Sequence, residues 1–247
     1  MILSGHQPNY WPYPGYFGKI MNSDRFMYVT NVQFEKKSWQ NRNRIKTSQG
    51  IILLSIPTLT KGRFDQFISD VEIDSNVRWK EKHYKSIISN YCKATYFSSY
   101  KDFIGDLYSR DWHRLMDICI YITNYILGEL NIKTEILYDS DLAIEGSKTN
   151  MLVDMCKKAA CDTYLSNIGS QSYVDLAIMK TKEIDHIYID YVGKEYNQQF
   201  SDFVPFLSIL DMLLNCGKDR TIEILSDQRS YRFSEKNALL PSALELL

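Results

Sequence analysis

A proline-rich loop near the start of the sequence carries the side chains best suited to chemistry. Residues 6–10 read His-Gln-Pro-Asn-Tyr, and Pro12, Pro14 and Gly15 follow. Proline fixes the backbone angle φ, so the loop is stiff and can hold polar side chains in place for a ligand. Because the unperturbed pKa of histidine is near neutrality, His6 is suited to proton transfer. We predict that His6 is catalytic and that Gln7, Asn9 and Tyr10 bind substrate; the alternative is a structural turn around a hydrogen-bonded histidine.

Residues 33–45 form a second candidate site, because this segment combines basic side chains, amides and one tryptophan. Arginine forks suit phosphate groups, amides can recognise hydroxyl groups, and an indole ring can cover a sugar or a base. A solvated basic loop is the alternative interpretation. The predicted substrate-binding residues of this segment are Gln33, Lys36, Trp39, Asn41, Arg42 and Arg44.

A third candidate lies at residues 164–173, where a predicted strand enters a Gly/Ser turn before a predicted helix. The turn is similar to a small anion cradle. It lacks the spaced glycines of dinucleotide-binding loops and the Gly-Lys-Ser/Thr ending of phosphate-binding P-loops. A serine-rich helix cap is the alternative. Ser170 and Tyr173 are the predicted substrate contacts of this turn.

The remaining titratable residues predict little chemistry. Histidines 83, 113 and 186 lie in periodic helices or a strand, which favours packing roles. Asp139, Asp141 and Glu145 could gather near a metal ion, but acidic loops are usually solvated. No nucleophile elbow or Cys-His arrangement is evident. We therefore predict neither a metal site nor a cofactor.

Predicted strands and helices alternate at both ends of the sequence, around a middle with helical periodicity. Strands are predicted at residues 2–4, 25–30, 51–56, 67–73, 134–138, 163–166 and 186–192, and helices at 16–21, 149–160, 172–182 and 206–215. Such alternation implies βαβ units and a largely parallel sheet. The predicted class is α/β, a Rossmann-like, mostly parallel sheet with a central helical insertion or small helical subdomain. A cleft between the carboxyl edge of the sheet and the helical part is the expected site.

These patterns divide the chain into four predicted parts. Residues 1–75 and 132–225 form the two parts of the α/β domain, 76–131 the helical insertion, and 226–247 an irregular tail.

Composition limits the class of protein. Apolar residues make up 45% and charged residues 24%, as in ordinary globular proteins, and a net charge of -1 argues against nucleic-acid binding. The longest apolar runs are too short for a membrane helix, and the N-terminus lacks the basic start of a signal peptide, so we expect a cytoplasmic protein without membrane insertion. The five cysteines lack C-x-x-C spacing, which predicts reduced and mostly buried thiols.

The motifs together resemble those of the WbqC-like family. The matching residues are 6–10, 15–17, 19–20, 24, 32–45, 164–166, 169–170, 173, 203–205 and 207–211. Asp211 in the last run is the remaining predicted substrate-binding residue. Phe206 stands where the family pattern has a polar Asn, and residues 76–130 carry no matching motif. Family members are associated with O-antigen and related surface-glycan biosynthesis, so the resemblance implies a bacterial surface-glycan pathway.

Three functional hypotheses follow. The first is a transferase that joins an acyl or aminoacyl group to a nucleotide-activated amino-sugar, with these small molecules as substrates and a carrier protein as a partner to test. The second is a nucleotidyltransferase-like enzyme, in which His6 and a helix N-terminus stabilise a triphosphate; Tyr16 stands where that class has a second histidine. The third is a non-catalytic sugar-binding or scaffold subunit of a biosynthetic complex.

Overall fold

The computed structural model describes residues 1–200 and 202–241. The strands are β1 (Ile2–His6), β2 (Arg25–Tyr28), β3 (Arg42–Thr47), β4 (Gly50–Ser55), β5 (Glu135–Tyr138), β6 (Thr163–Asn167), β7 (Asp185–Tyr191) and β8 (Tyr231–Phe233). The α-helices are α1 (Pro14–Met21), α2 (Trp79–Tyr91), α3 (Phe97–Ser109), α4 (Leu115–Glu129), α5 (Lys148–Lys158), α6 (Leu176–Thr181) and α7 (Ile209–Ser226). The predicted α/β class is confirmed.

Six strands form the main sheet in the order β5-β2-β1-β6-β7-β8, and all neighbouring pairs are parallel except β7 and β8. Counted among these six strands alone, the order is 3-2-1-4-5-6, which is that of doubly wound dinucleotide-binding folds. The order reverses between β1 and β6. In open α/β sheets, ligands bind at the carboxyl ends of the strands beside this switch point.

Helices cover both faces of the main sheet. On one face, α1 begins at Pro14, whose fixed φ suits a first helical position, and buries Tyr16, Phe17 and Ile20 in a large core shared with α7. On the other face, α5 and α6 pack Met155 and Met179 against the strands in a second core. The sheet therefore lies between two helical layers, and its carboxyl edge stays accessible.

Between β2 and β5 the chain forms the antiparallel β3–β4 hairpin and then three helices. Helices α2, α3 and α4 all lie within the segment predicted to be helical, residues 76–131. Their buried side chains, such as Ile87, Ile104 and Ile122, belong to the same core as those of α1. Helices α2 to α4 are therefore packed continuously with the sheet layer.

Two predicted segments differ in the structure. The strand expected at residues 67–73 is a 3-10 turn at Ile68–Asp70, flanked by single bridges from Phe67 to Gln33 and from Ile73 to Thr58. The alternating hydrophobicity arises because one side of this loop is buried. The segment has only isolated bridges to its neighbours and no continuous partner strand. The tail expected to be irregular contains β8, which pairs antiparallel with the end of β7.

Two predicted helices have different bounds. The helix expected at residues 172–182 is α6 alone, preceded by a 3-10 turn and capped by Asp175, whose carboxylate accepts from the N–H groups of Ala177 and Ile178. The helix expected at 206–215 is α7, which continues past the predicted stop. Gly217 has a φ of 70° and kinks α7, and a Cβ there would lie 2.6 Å from the ring of Tyr96.

Among the described residues, no helix combines the length and hydrophobicity needed to cross a membrane. All five cysteines are free thiols: Cys92 is exposed and the other four are buried. Burial raises the pKa of the Cys156 thiol to about 12 and that of Cys216 to about 11, so these thiols stay protonated and unreactive near neutral pH.

Candidate functional site

A cavity of about 460 Å³ opens at the carboxyl edge of the sheet, where the strand order reverses. The end of β1 and the loop after it form one wall, the ends of β6 and β7 a second, and the β3 hairpin with the loop before it a third. The lining residues are His6, Gln7, Asn9, Tyr13, Glu35, Ser38, Trp39, Gln40, Asn43, Arg44, Asn167, Asp190, Tyr191 and Phe206. Its position is the one expected for a ligand site in this topology.

His6 is the last residue of β1 and is half-buried. Its Nδ1 lies 3.0 Å from the carbonyl oxygen of Gln7, which can only accept, so Nδ1 carries the proton and Nε2 keeps its lone pair. Burial, and secondarily the charge of Lys19, lower the pKa of His6 to about 3. The ring also packs edge-on to Tyr16 at 5.0 Å. His6 is therefore a neutral, oriented proton acceptor near pH 7.

Lys19 of α1 lies behind this wall and is buried. Its Nζ donates to the carbonyl oxygen of Gly5 at 2.9 Å, and it forms no salt bridge within the described part of the chain. Burial lowers the pKa of Lys19 to about 7. The residue therefore ties α1 to the end of β1 and places a titrating positive charge beside His6.

An aromatic and cationic wall faces the cavity from the β3 hairpin. Trp39 is 48% exposed, and the guanidinium of Arg44 lies 5.3 Å from the centre of its ring. Nη2 of Arg44 donates to the carbonyl oxygen of Phe206 at 2.9 Å, which fixes the fork. Arg42 also approaches Trp39, at 6.0 Å, but does not line the cavity. One arginine and one indole face are thus available to a ligand.

Two carboxylates of the cavity, Glu35 and Asp190, were not predicted from the sequence. Asp190 accepts a hydrogen bond from the guanidinium of Arg232. Glu35 forms no salt bridge within residues 1–200 and 202–241, and its contact to Gln40 uses only its backbone N–H, at 3.2 Å. Glu35 lies within the matching segment 32–45 but was not singled out there, and Asp190 belongs to no matching motif. The one signal for Asp190 was its place near the end of a predicted strand.

The structure brings together five of the predicted site residues: His6, Gln7, Asn9, Trp39 and Arg44 all line the cavity. Tyr13, Ser38, Gln40, Asn43, Asn167 and Tyr191 join them and were missed. Asn167 lies within the third candidate segment, residues 164–173, but it ends β6 immediately before the 3-10 turn Ile168–Ser172, so the strand end and not the turn reaches the cavity.

Tyr10 and Asp211 lie in the core, outside this cavity. The ring of Tyr10 is fully buried, and its hydroxyl lies 2.9 Å from Nδ1 of His83 and 2.5 Å from the hydroxyl of Tyr108. Asp211 is also fully buried and accepts hydrogen bonds from two tyrosine hydroxyls. Both side chains are engaged in buried hydrogen bonds of the core.

The other predicted residues surround the site without lining it. Nε2 of Gln33 donates to Phe64 and Asp65, and Nζ of Lys36 lies 5.3 Å above the ring of Phe64.

Asn41 donates to the carbonyl oxygen of Ile56 at 2.8 Å and closes the hairpin. The Ser170 hydroxyl donates to the carbonyl oxygen of Asn167, and Tyr173 is half exposed beyond that turn.

No group of three or more His, Cys, Asp or Glu residues suited to a metal ion occurs in the described ranges. Of the three acids considered from the sequence, Asp139 already uses its carboxylate in hydrogen bonds within the protein. Its carboxylate accepts from the backbone N–H groups of Thr30 and Asn31 and from the Thr30 hydroxyl, at 2.6 to 2.8 Å. It fixes the chain where β2 leaves the sheet.

Phe206 adopts a left-handed backbone, with a φ of 57°, at the rim of the cavity. This conformation is strained for an aromatic residue but readily adopted by asparagine, the residue expected here from the family pattern. We predict that Phe206→Asn raises the free energy of unfolding by roughly 1 kcal/mol. Urea denaturation monitored by circular dichroism measures this, with Phe203→Asn as control, and a loss of stability would contradict the strain argument.

The fold defines a doubly wound α/β protein with a polar cavity at the switch point. The chain belongs to the WbqC-like protein family, whose model matches residues 7–223. It is 34% identical over 215 residues to "Uncharacterized protein Rv1507c" of Mycobacterium tuberculosis, which covers 86% of this chain and 93% of that protein. No solved structure matches the chain.

Proposed function

We propose that this protein is an enzyme of bacterial surface-glycan (O-antigen) biosynthesis that transfers an acyl or aminoacyl group to the amine of a nucleotide-activated amino-sugar. The observation that carries the proposal is the orientation of His6, whose Nδ1 proton is engaged by the carbonyl oxygen of Gln7, so that Nε2 is the nitrogen that can accept a proton. His6 shares one cavity with a cation, an exposed indole and two carboxylates.

The transfer uses His6 as the general base. The ammonium group of the amino-sugar first releases one proton to solvent. The neutral amine nitrogen then attacks the carbonyl carbon of an activated acyl donor, a thioester or an acyl phosphate, and a C–N bond forms. The nitrogen proton passes to Nε2 of His6, and the bond from carbon to the leaving group breaks. The leaving group takes the proton from His6 as it departs, which returns His6 to the neutral form.

The charges of the cavity match the two ends of such a substrate. An amino-sugar nucleotide has an ammonium group at the sugar and negative charges at the diphosphate. Glu35, which forms no salt bridge within the described residues, attracts the ammonium, whereas the fork of Arg44 suits the phosphate oxygens. Trp39 offers a face to the sugar or the base. Gln7, Asn9 and Asn43 supply amide groups for the sugar hydroxyls.

Burial of Tyr16 disfavours the nucleotidyltransferase alternative. Its ring is fully buried, and its hydroxyl donates to the carbonyl oxygen of Gln7 at 3.4 Å. A side chain in that position does not reach a triphosphate in the cavity. The described chain therefore offers one histidine and one arginine to the cavity, which suits a diphosphate with a neutral base better than a triphosphate.

The contribution of Arg44 can be tested by binding. We predict that Arg44→Gln weakens the affinity for UDP- or dTDP-activated amino-sugars about 10- to 100-fold, because a charge-assisted hydrogen bond contributes roughly 1.5–3 kcal/mol. Isothermal titration calorimetry measures the affinity. Arg220→Gln, an exposed arginine of α7 paired with Glu223, is the matched control and should bind as the parent protein does.

An unchanged affinity in Arg44→Gln, with the fold intact by circular dichroism, would reject the assignment of phosphate binding to this wall. A parent protein that binds neither nucleotide-sugar would reject the proposed substrate class itself. Turnover of a nucleotide-sugar by the isolated protein would reject the non-catalytic subunit hypothesis.

A further inference from the structure

Two amide side chains of the cavity at the switch point have hydrogen-bonding groups that the protein itself does not use. Asn9 and Gln40 both line the cavity, and each is only 5% exposed. Amides that are buried to this extent normally find partners for their polar atoms. The free atoms of these two amides are not sealed in the core, so they are open to a ligand in the cavity.

The side-chain nitrogen of Gln40 is held in place as a donor. Its Oε1 accepts from the backbone N–H of Glu35 at 3.2 Å, which fixes the orientation of the amide. Its Nε2 donates to no acceptor among the described residues. The carbonyl oxygen of Gln40 accepts from the backbone N–H of Tyr10 at 3.1 Å and from the Cys119 thiol, so the backbone is fixed as well. Gln40 therefore presents a preorganised N–H group to the cavity.

The hydrogen bond between Tyr10 and Gln40 brings the second amide beside the first. Asn9 directly precedes Tyr10 in the chain, and neither Oδ1 nor Nδ2 of Asn9 forms a hydrogen bond within the described residues. The Asn9 amide can therefore turn its nitrogen toward the ligand atom that Nε2 of Gln40 contacts and keep its oxygen for a sugar hydroxyl. The cavity thus holds two neutral amide donors close together.

The transfer proposed above needs such donors at one point. When the amine attacks, the π electrons of the acyl carbonyl move onto its oxygen, which carries a negative charge in the tetrahedral intermediate. The electron pair returns to the carbon–oxygen bond as the leaving group departs. Donors that are fixed in advance stabilise this charge more than they stabilise the planar acyl donor. His6 takes the nitrogen proton and Arg44 holds the diphosphate, so neither supplies these donors.

We propose that Nε2 of Gln40 and Nδ2 of Asn9 form an oxyanion hole for the tetrahedral intermediate, so that both are catalytic residues. The assignment rests on the proposed function, because an acyl transfer is the reaction that develops this charge. His6 and Asn9 are three residues apart in one loop, at most about 11 Å along the chain. Over such a distance the base and the oxyanion hole can act on one reacting carbon.

Two UDP-activated amino-sugars that differ only at the acyl group test the oxyanion hole without turnover. One carries a planar N-acetyl group; in the other a methylphosphonamidate replaces it, with a tetrahedral phosphorus and an anionic oxygen. Isothermal titration calorimetry gives the ratio of the two affinities. We expect the parent protein to bind the phosphonamidate at least about 100-fold more tightly, because it resembles the intermediate.

Variants of the two amides should lower this ratio about 10- to 100-fold. Gln40→Met removes the donor without adding charge, whereas Gln40→Glu keeps an acceptor for the N–H of Glu35. Asn9→Leu removes the second amide at similar size. Gln228→Glu, at an exposed glutamine outside the cavity, is the matched control and should keep the parental ratio. In the amide-forming assay, Gln40→Met should lower kcat about 10²–10³-fold with little change in KM.

The oxyanion hole is overturned if the parent binds both sugars equally, or if Gln40→Met folds normally and keeps the parental ratio. It is also overturned if the variants of Asn9 and Gln40 weaken both sugars equally, since an equal loss marks an ordinary substrate contact. Failure of the proposed function looks different, because a parent protein that binds neither sugar rejects the substrate class and the oxyanion hole with it.

Discussion

Replacement of His6 by asparagine lowers turnover by roughly 10²–10⁴-fold and leaves the fold intact, if His6 is the general base. The amide nitrogen of asparagine can take the place of Nδ1 and keep the hydrogen bond to the carbonyl oxygen of Gln7. It has no group in the place of Nε2, so the variant removes the proton acceptor alone. Amide formation from a UDP- or dTDP-activated amino-sugar and an acyl thioester, followed by mass spectrometry, measures the rate.

The state of the His6 ring provides an independent check. Since burial and Lys19 lower its pKa to about 3, the ring should remain neutral, with the proton on Nδ1, from pH 8 to pH 5 in 15N NMR spectra. The unfolded chain takes up this proton near pH 6.5 and the folded chain only near pH 3, so the His6 contribution to stability declines as the pH falls through that window. A His6→Asn enzyme with the parental rate would exclude the base assignment.

The position of the candidate site followed from the sequence because it depends on short-range patterns. A predicted strand ending at His6 and a proline-rich loop must place that loop at the carboxyl edge of a parallel sheet. Residues 33–45 combined a cation and an indole in one segment, and Trp39 and Arg44 do meet there. The site was predictable to this extent because neighbouring residues define both walls.

The contacts that failed prediction depend on long-range pairing. The sheet order could not be predicted, because the hairpin and three helices separate β2 from its neighbour β5. Arg42 and Arg44 are two residues apart in β3 and therefore point to the same face of the hairpin. Which of them lines the cavity depends on the loop near Phe206, whose carbonyl oxygen accepts from Arg44. Asp190 reaches the cavity from a distant strand.

The role of Tyr10 could not be predicted from its residue type and its place in the loop. A tyrosine in a polar loop suits a binding site and a buried network equally well, because its ring is apolar and its tip is polar. The acceptor at the end of that network, His83, is 73 residues away in the chain. Asp211 is likewise a polar residue with buried partners elsewhere in the chain, and its replacement is expected to change the free energy of unfolding strongly.

Asp211 lies in the first turn of α7 and joins three parts of the fold. Its carboxylate accepts from the hydroxyl of Tyr91 at 2.7 Å and from that of Tyr196 at 2.8 Å. The Tyr91 hydroxyl in turn accepts from the backbone N–H of Lys46 in β3. We predict that Asp211→Ala lowers the free energy of unfolding by roughly 2–5 kcal/mol, because two buried hydroxyl donors lose their acceptor. Urea denaturation measures the change.

Asp211→Asn distinguishes this structural role from substrate binding. The amide has nearly the same shape; its oxygen accepts from one tyrosine hydroxyl and its nitrogen donates to the other, so most of the stability remains. Burial raises the pKa of Asp211, so its ionisation above that pKa costs stability, and the neutral amide removes this dependence on pH. Ligand affinity should be unchanged in the asparagine variant. An Asp211→Ala protein as stable as the parent, or an Asp211→Asn protein that folds normally but loses nucleotide-sugar binding, would return Asp211 to the binding site.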